Sequence, residues 1–194
     1  MPELKQHSEL NQYHLGMWYG TYRLLIAFCL LLITLLTFQQ LGTQYQYPGL
    51  YLYTLVCYFI FNCLQLISYK SIPFKITQQL TLFFAVDIIA LSSLTFASDG
   101  PNLYLSLLFV ITIFAASLLL EKRKALAITL IAMIMVIYQH FVGSLLDFSS
   151  LNNISQSALL AFLFGVVYGS GRIAVRRFQI LENLNFSQSL ELNR

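Results

Sequence analysis

No charged side chain occurs between Arg23 and Lys70, a run of 46 residues. A run of that length is too long for one buried core helix. It matches two crossings of a hydrocarbon layer, each about 20 residues, joined by a turn. The turn is visible at 39–49, where glutamine, threonine and tyrosine are interleaved with Gly42, Pro48 and Gly49, residues that interrupt helices. Composition extends the argument to the whole chain. Of 194 residues, 58% are apolar and 10% charged, whereas a soluble domain carries about 25% charge. A soluble globular enzyme, a disordered tail and a secreted disulfide scaffold are all excluded.

The remaining uncharged windows predict four more helices. The six spans are expected near 20–40, 49–69, 78–97, 102–120, 125–146 and 155–174, an all-α polytopic membrane fold. Spans of this length with short turns leave no room for the ten-residue alternation of a membrane β-barrel. Residues 1–18 read as a polar segment before the six-helix domain at 19–174, and 175–194 as a helical linker after it. The polar start lacks a basic n-region and a small-residue cleavage site, so no signal peptide is expected.

Charge placement predicts the orientation. With the N-terminus inside, all 11 Lys and Arg residues fall on inner segments, Arg23 included, while the outer turns carry Asp99 and Asp147. Both termini are therefore expected in the cytoplasm, with the chain crossing a bacterial inner membrane several times. Trp18, Tyr19, Tyr22 and Tyr69 fall at the inner interface. Tyr45, Tyr47, Tyr51 and Tyr104 fall at the outer one.

Little in the chain suggests catalysis. His7, His14 and His140 show no metal-ligand spacing, and no nucleophile elbow, phosphate-cradling loop or paired carboxylate occurs. Cys29, Cys57 and Cys63 lie inside predicted spans and read as small apolar residues. No metal, no cofactor and no nucleic-acid partner is expected, and membrane lipids are the surrounding partner.

Asp87 stands apart. It lies midway along the third predicted span, where a charge costs roughly 2.5–3.5 kcal/mol on insertion scales. It should face the bundle interior, as a recognition group or as a structural hydrogen-bonding group. Asn62, Gln65, Ser92, Ser93 and Tyr138 are the candidate partners. The sixth span carries Ser157, Ala161, Gly165 and Gly169 at four-residue intervals, a small-residue face that lets helix backbones approach closely. It suits either an intramolecular contact or a homodimer. Ala115, Ala116 and Ser117 form a second small cluster. Beyond Gly171 the helical pattern continues through Arg172, Arg176, Arg177, Phe178 and Leu181 without a breaker. A rod leaving the last span is suited to transmitting movement, and the same arginines suit an amphipathic tail on an anionic leaflet.

The run Asp87–Asn102, with its turn at Asp99, Gly100 and Pro101, resembles the third span and outer turn of the sensor histidine kinases of type IV pilus two-component systems. The small residues after Ile113, the basic turn Glu121–Lys124, the opening Tyr22-Arg23-Leu24 and the six-span layout fit as well. The outer turn departs in having Gly100 alone where the family pattern is richer in glycine. The resemblance implies a sensor domain that detects major pilin subunits through helix contacts in the membrane. It further implies a homodimeric parent kinase that phosphorylates a cognate response regulator controlling pilin expression. ATP and Mg are then expected only for a kinase core beyond Arg194, since no phosphoacceptor histidine motif or nucleotide motif lies in this chain. The alternative is a small six-span transporter working through Asp87. The absence of proline within the spans, and of any second charge deep in one, weighs against it.

Overall fold

The computed structural model describes residues 2–37, 47–68, 76–98, 102–145 and 152–192, all but a few of them helical. Six helices follow in order: α1 Pro2–Leu36, α2 Pro48–Ser68, α3 Ile76–Ala97, α4 Leu103–Leu119, α5 Lys122–Leu145 and α6 Asn152–Leu192. In hydrocarbon every backbone N–H and C=O must be satisfied within the segment, which is why uncharged windows of this length become helices. Among the described residues, four helices contain stretches long and apolar enough to cross a membrane: Gly16–Leu36, Pro48–Ile67, Gln78–Ala97 and Ser155–Leu181. The apolar α4 is shorter, at 17 residues. The fold is an all-α polytopic bundle.

Two helices exceed their predicted spans. The first was expected to begin near residue 20, yet α1 starts at Pro2, so the polar opening segment is one continuous helix with the span. Its sequence holds no glycine before Gly16 and no proline after Pro2 to interrupt it. At the other end α6 runs 41 residues, about 60 Å at 1.5 Å per residue, or twice the hydrocarbon thickness.

The third helix is the centre of the bundle. In the most apolar 18-residue stretch of its span, 61% of residues are buried, against 22–28% in the corresponding stretches of the other three. Phe84, Ile88, Leu91 and Leu94 on α3 pack with Phe109 and Ile113 of α4, Val136 of α5 and Phe164 of α6. The remaining apolar side chains, such as Leu25, Ile60, Ile134 and Phe162, face outward. This inversion is expected where lipid replaces water. Two hydroxyls at the end of α3 are satisfied locally: Thr95 donates to the Leu91 carbonyl at 2.5 Å and Ser98, just past the helix, to the Thr95 carbonyl at 3.1 Å.

α1 packs chiefly on α2 and touches α3 and α4 sparsely, whereas α6 packs extensively on both α4 and α5. The antiparallel α2–α3 pair is tied at one end by the Tyr47 N–H donating to the Ala97 carbonyl at 3.2 Å. Tyr47 also stacks on Phe96, with ring centroids 5.8 Å apart.

Candidate functional site

Asp87 is 1% exposed and lies near the middle of the central helix. None of the five partners read from the sequence meets it. Arg23 on α1 forms an ion pair with it, Tyr58 on α2 donates to Oδ1 at 2.7 Å, and Tyr19 on α1 donates to Oδ2 at 3.1 Å. The charge pattern places Arg23 among the inner-face cations at the mouth of the first span. It is instead 3% exposed and committed to the core, so Asp87 is not the only charge deep in a span.

The cluster extends outward from this pair. Arg23 Nη1 donates to Gln65 Oε1 at 2.9 Å. The guanidinium carbon lies 5.6 Å from the Tyr19 ring centroid and 5.7 Å from that of Tyr58, within range of cation–π attraction. Asn62 donates to the Tyr58 carbonyl at 2.8 Å. Among the described residues, three buried polar side-chain atoms are without a hydrogen-bond partner: Arg23 Nε, Arg23 Nη2, which contributes its ionic contact to Asp87, and Asn62 Oδ1.

The sequence does carry a signal for this arrangement. Tyr19 and Arg23 are four residues apart on α1, and Tyr58, Asn62 and Gln65 follow an i, i+4, i+7 pattern on α2. Each set lies on one helix face. Two polar stripes on otherwise apolar helices must turn toward each other and toward the carboxylate of α3, because lipid offers them nothing. Of the five candidates, Asn62 and Gln65 thus belong to the cluster without touching Asp87. Ser92 accepts a hydrogen bond on Oγ from Gln139 of α5 at 2.5 Å, Ser93 is half-buried, and Tyr138 faces outward.

The small-residue face of α6 divides. Ser157 and Ala161 are buried in the bundle. A Cβ on Gly165 would stand 3.2 Å from Met133 Cε of α5, while one on Gly169 would meet nothing within 4 Å. The tightest contact involves a glycine outside that four-residue series. A Cβ on Gly171 would fall on the Ser117 hydroxyl and within 2.9 Å of its Cβ. Ser117, from the second small cluster, is fully buried there.

Three hydrogen bonds fasten the same middle stretch of α6. Arg172 Nη1 donates to the Ser117 and Leu120 carbonyls, both at 3.3 Å, at the end of α4. These are carbonyls that a helix C-terminus leaves without partners. Tyr168 donates to the Lys122 carbonyl at 3.3 Å. Beyond this point Arg176, Arg177, Phe178 and Leu181 are exposed on a helix that continues to Leu192. The turn residues Asp99, Gly100 and Pro101 lie outside the described residues, as does the side chain of His140.

Among the described residues no three His, Cys, Asp or Glu side chains converge on a point that could hold a metal ion. The chemistry available is hydrogen bonding and ion pairing across helices. A family model described as the PilS-like transmembrane domain matches residues 5–174. No curated protein and no solved structure matches the chain.

Proposed function

The chain belongs to the PilS-like transmembrane domain family, and from that membership we propose that it is the input domain of a pilus-controlling sensor kinase. It is a multi-pass membrane sensor domain of that family. In this reading it detects major pilin subunits by helix–helix contact within a bacterial inner membrane. It passes the signal through α6 to a kinase core beyond Arg194, which uses ATP and Mg. That core phosphorylates a cognate response regulator that sets pilin expression. The concentration of Lys and Arg on one side supports both termini in the cytoplasm. The parent kinase acts as a homodimer.

The observation that carries the proposal is the construction of α6. The helix is gripped at the α4–α5 turn by Gly171, Arg172 and Tyr168, then continues without a break to Leu192. A stiff rod clamped at the end of a bundle converts a shift in the bundle into displacement of its far end. A transporter has no use for such a rod. Asp87, with Arg23, Tyr19 and Tyr58 around it, offers no free carboxylate to a passing ion.

Site-directed photocrosslinking in membranes that contain the major pilin tests this reading. Photoreactive residues are placed one at a time at outward positions on all six helices, for example Leu25, Ile60, Leu82, Leu107, Ile134 and Phe162. Capture of pilin at a contiguous set of positions is expected. Failure to capture pilin at any position would overturn the pilin assignment.

A further inference from the structure

Positive charge gathers where α6 passes the α4–α5 turn. α5 opens with Lys122, Arg123 and Lys124, and α6 carries Arg172, Arg176 and Arg177. The two groups lie about 50 residues apart in sequence, and three hydrogen bonds bring them together. Tyr168 reaches the Lys122 carbonyl at 3.3 Å, and Arg172 reaches the Ser117 and Leu120 carbonyls at 3.3 Å. Residues 168–172 of α6 therefore lie beside the first residues of α5. Arg176 follows Arg172 by four residues, on the same helix face and one turn further out. That position places it past the turn, next to the opening cations of α5.

The protein supplies little to balance this charge. Glu121 is the one acidic residue of the turn, and it sits 3.4 Å from Lys124. Among the described residues, Lys122, Arg123 and Arg176 form no ion pair, and all three are exposed. The first turn of α5 holds no acid. Cations at a helix N-terminus face the positive end of the helix dipole, which is unfavourable unless an anion stands nearby. The partner that is missing is an anion from outside the chain.

The surface below the cations says which anion. On α5, Lys122 is followed at four-residue intervals by Leu126 and Leu130, which are 42% and 48% exposed. On α6, spacing puts Gly165, Gly169, Arg172 and Arg176 along one flank. That flank meets α5, since a Cβ on Gly165 would stand 3.2 Å from Met133, while a Cβ on Gly169 would meet nothing within 4 Å. An apolar strip with room at Gly169 thus runs down from the cations. A free phosphate or a nucleic acid engages the cations and leaves the strip bare. A phospholipid engages both. A zwitterionic headgroup brings its own cation, so only an anionic lipid neutralises the cluster.

We propose that Lys122, Arg123 and Arg176 form a binding site for one anionic phospholipid at the seam of α5 and α6, its phosphate between the two helices and an acyl chain along Leu126 and Gly169. A phosphate shared by both helices ties the start of α5 to the emerging stretch of α6, in addition to the Arg172 cap. The site does not depend on pilin being the partner that the domain senses.

Tryptophan quenching by chain-brominated lipids tests the proposal on the full chain in nanodiscs. Trp18→Phe removes the single native tryptophan, and Leu126→Trp places a reporter on the strip. Brominated phosphatidylglycerol should bind there about fivefold more tightly than brominated phosphatidylcholine, the equivalent of about one cation's attraction at a membrane surface. Leu25→Trp on α1, also exposed, should show no preference. Lys122→Gln/Arg123→Gln/Arg176→Gln should abolish the preference at Leu126→Trp. Arg177→Gln removes an adjacent charge about 100° round the helix and should leave the preference unchanged. Inorganic phosphate should displace the lipid no better than chloride at equal ionic strength. An equal preference at both reporters, a preference that survives the triple substitution, or a loss as large with Arg177→Gln would each overturn the site. Displacement by phosphate alone would overturn the lipid as its occupant.

Discussion

The two halves of this bundle are held together by opposite means. Around Asp87, helices α1, α2 and α3 meet through charges, phenols and amides, with α1 seated mainly on α2 and only sparsely on α3. Around Ser117, helices α4 and α6 meet because Gly171 has no side chain, and their backbones come close enough for Arg172 to cap one with the other. In lipid, apolar surface gains little by turning inward, so packing and hydrogen bonding carry the association. The polar cluster gives a contact with one correct partner and a large penalty when broken. The glycine contact gives a broad, rigid fit with no group to exchange. The first fixes which helix faces meet, the second clamps two backbones together.

The sharpest way to break this contrast is at the ion pair. Arg23→Leu alone, or Asp87→Leu alone, leaves one charge unpaired in the bundle and should cost about 3–5 kcal/mol. The double substitution Arg23→Leu/Asp87→Leu should cost far less than the sum of the two. Equilibrium unfolding in bicelles by steric trapping measures all three. Additive losses would mean that the two residues act independently and that the ion pair does not couple α1 to α3.

Steric damage to the clamp should come next. Gly171→Ala drives a methyl group onto Ser117 and should cost about 1–3 kcal/mol, the usual range for overpacking. It should also displace the end of α6, read as a changed spin-label distance between α4 and Leu181. Ser117→Gly in the same chain should restore most of both. No rescue would place the strain elsewhere.

Single hydrogen bonds within the latch should matter less. Interhelical bonds in membranes average about 0.6 kcal/mol, with a maximum near 1.7. Tyr58→Phe should fall toward the upper end, since its bond to Asp87 is 2.7 Å and fully buried, and Tyr19→Phe with its 3.1 Å bond should cost less. The same unfolding assay ranks them, and the reverse order would contradict the geometry.

The smallest effect is expected at Gly169. Its Cβ direction is open, so Gly169→Ala should change stability by less than about 0.5 kcal/mol. A loss comparable to that of Gly171→Ala would mean that a second copy or a partner helix covers this face.

Much of this architecture is legible in the chain. Charge-free windows are long because lipid tolerates few charges, so they announce spans directly, and Asp87 stands out for the same reason. The partners of Asp87 are harder to read. Tyr19 and Tyr58 look like the tyrosines common in any membrane protein. Arg23 lies near enough to the start of its span to pass for an interfacial anchor. Ser92 and Tyr138 were equally plausible partners, and only helix rotation separates them: Ser92 turns toward Gln139 and Tyr138 toward lipid. The four-residue series on α6 meets the same limit: Ser157, Ala161 and Gly165 lie against the bundle while the Cβ direction of Gly169 is open. Spacing marks a face, but not how near the next helix comes along it, and the close approach occurs at Gly171, after the series ends.

The sequence by itself determined the solvent of this protein, its helical class and the positions of its spans, because one-dimensional quantities suffice for those. Runs of uncharged residues and breaks between them need no knowledge of neighbours. The sequence also determined that Asp87 must point inward. The tertiary structure decided who meets it. Which face of α1 and α2 turns toward α3, and which glycine of α6 touches α4, depend on helix rotations set by all the contacts at once. Those rotations join Arg23 to a carboxylate 64 residues away.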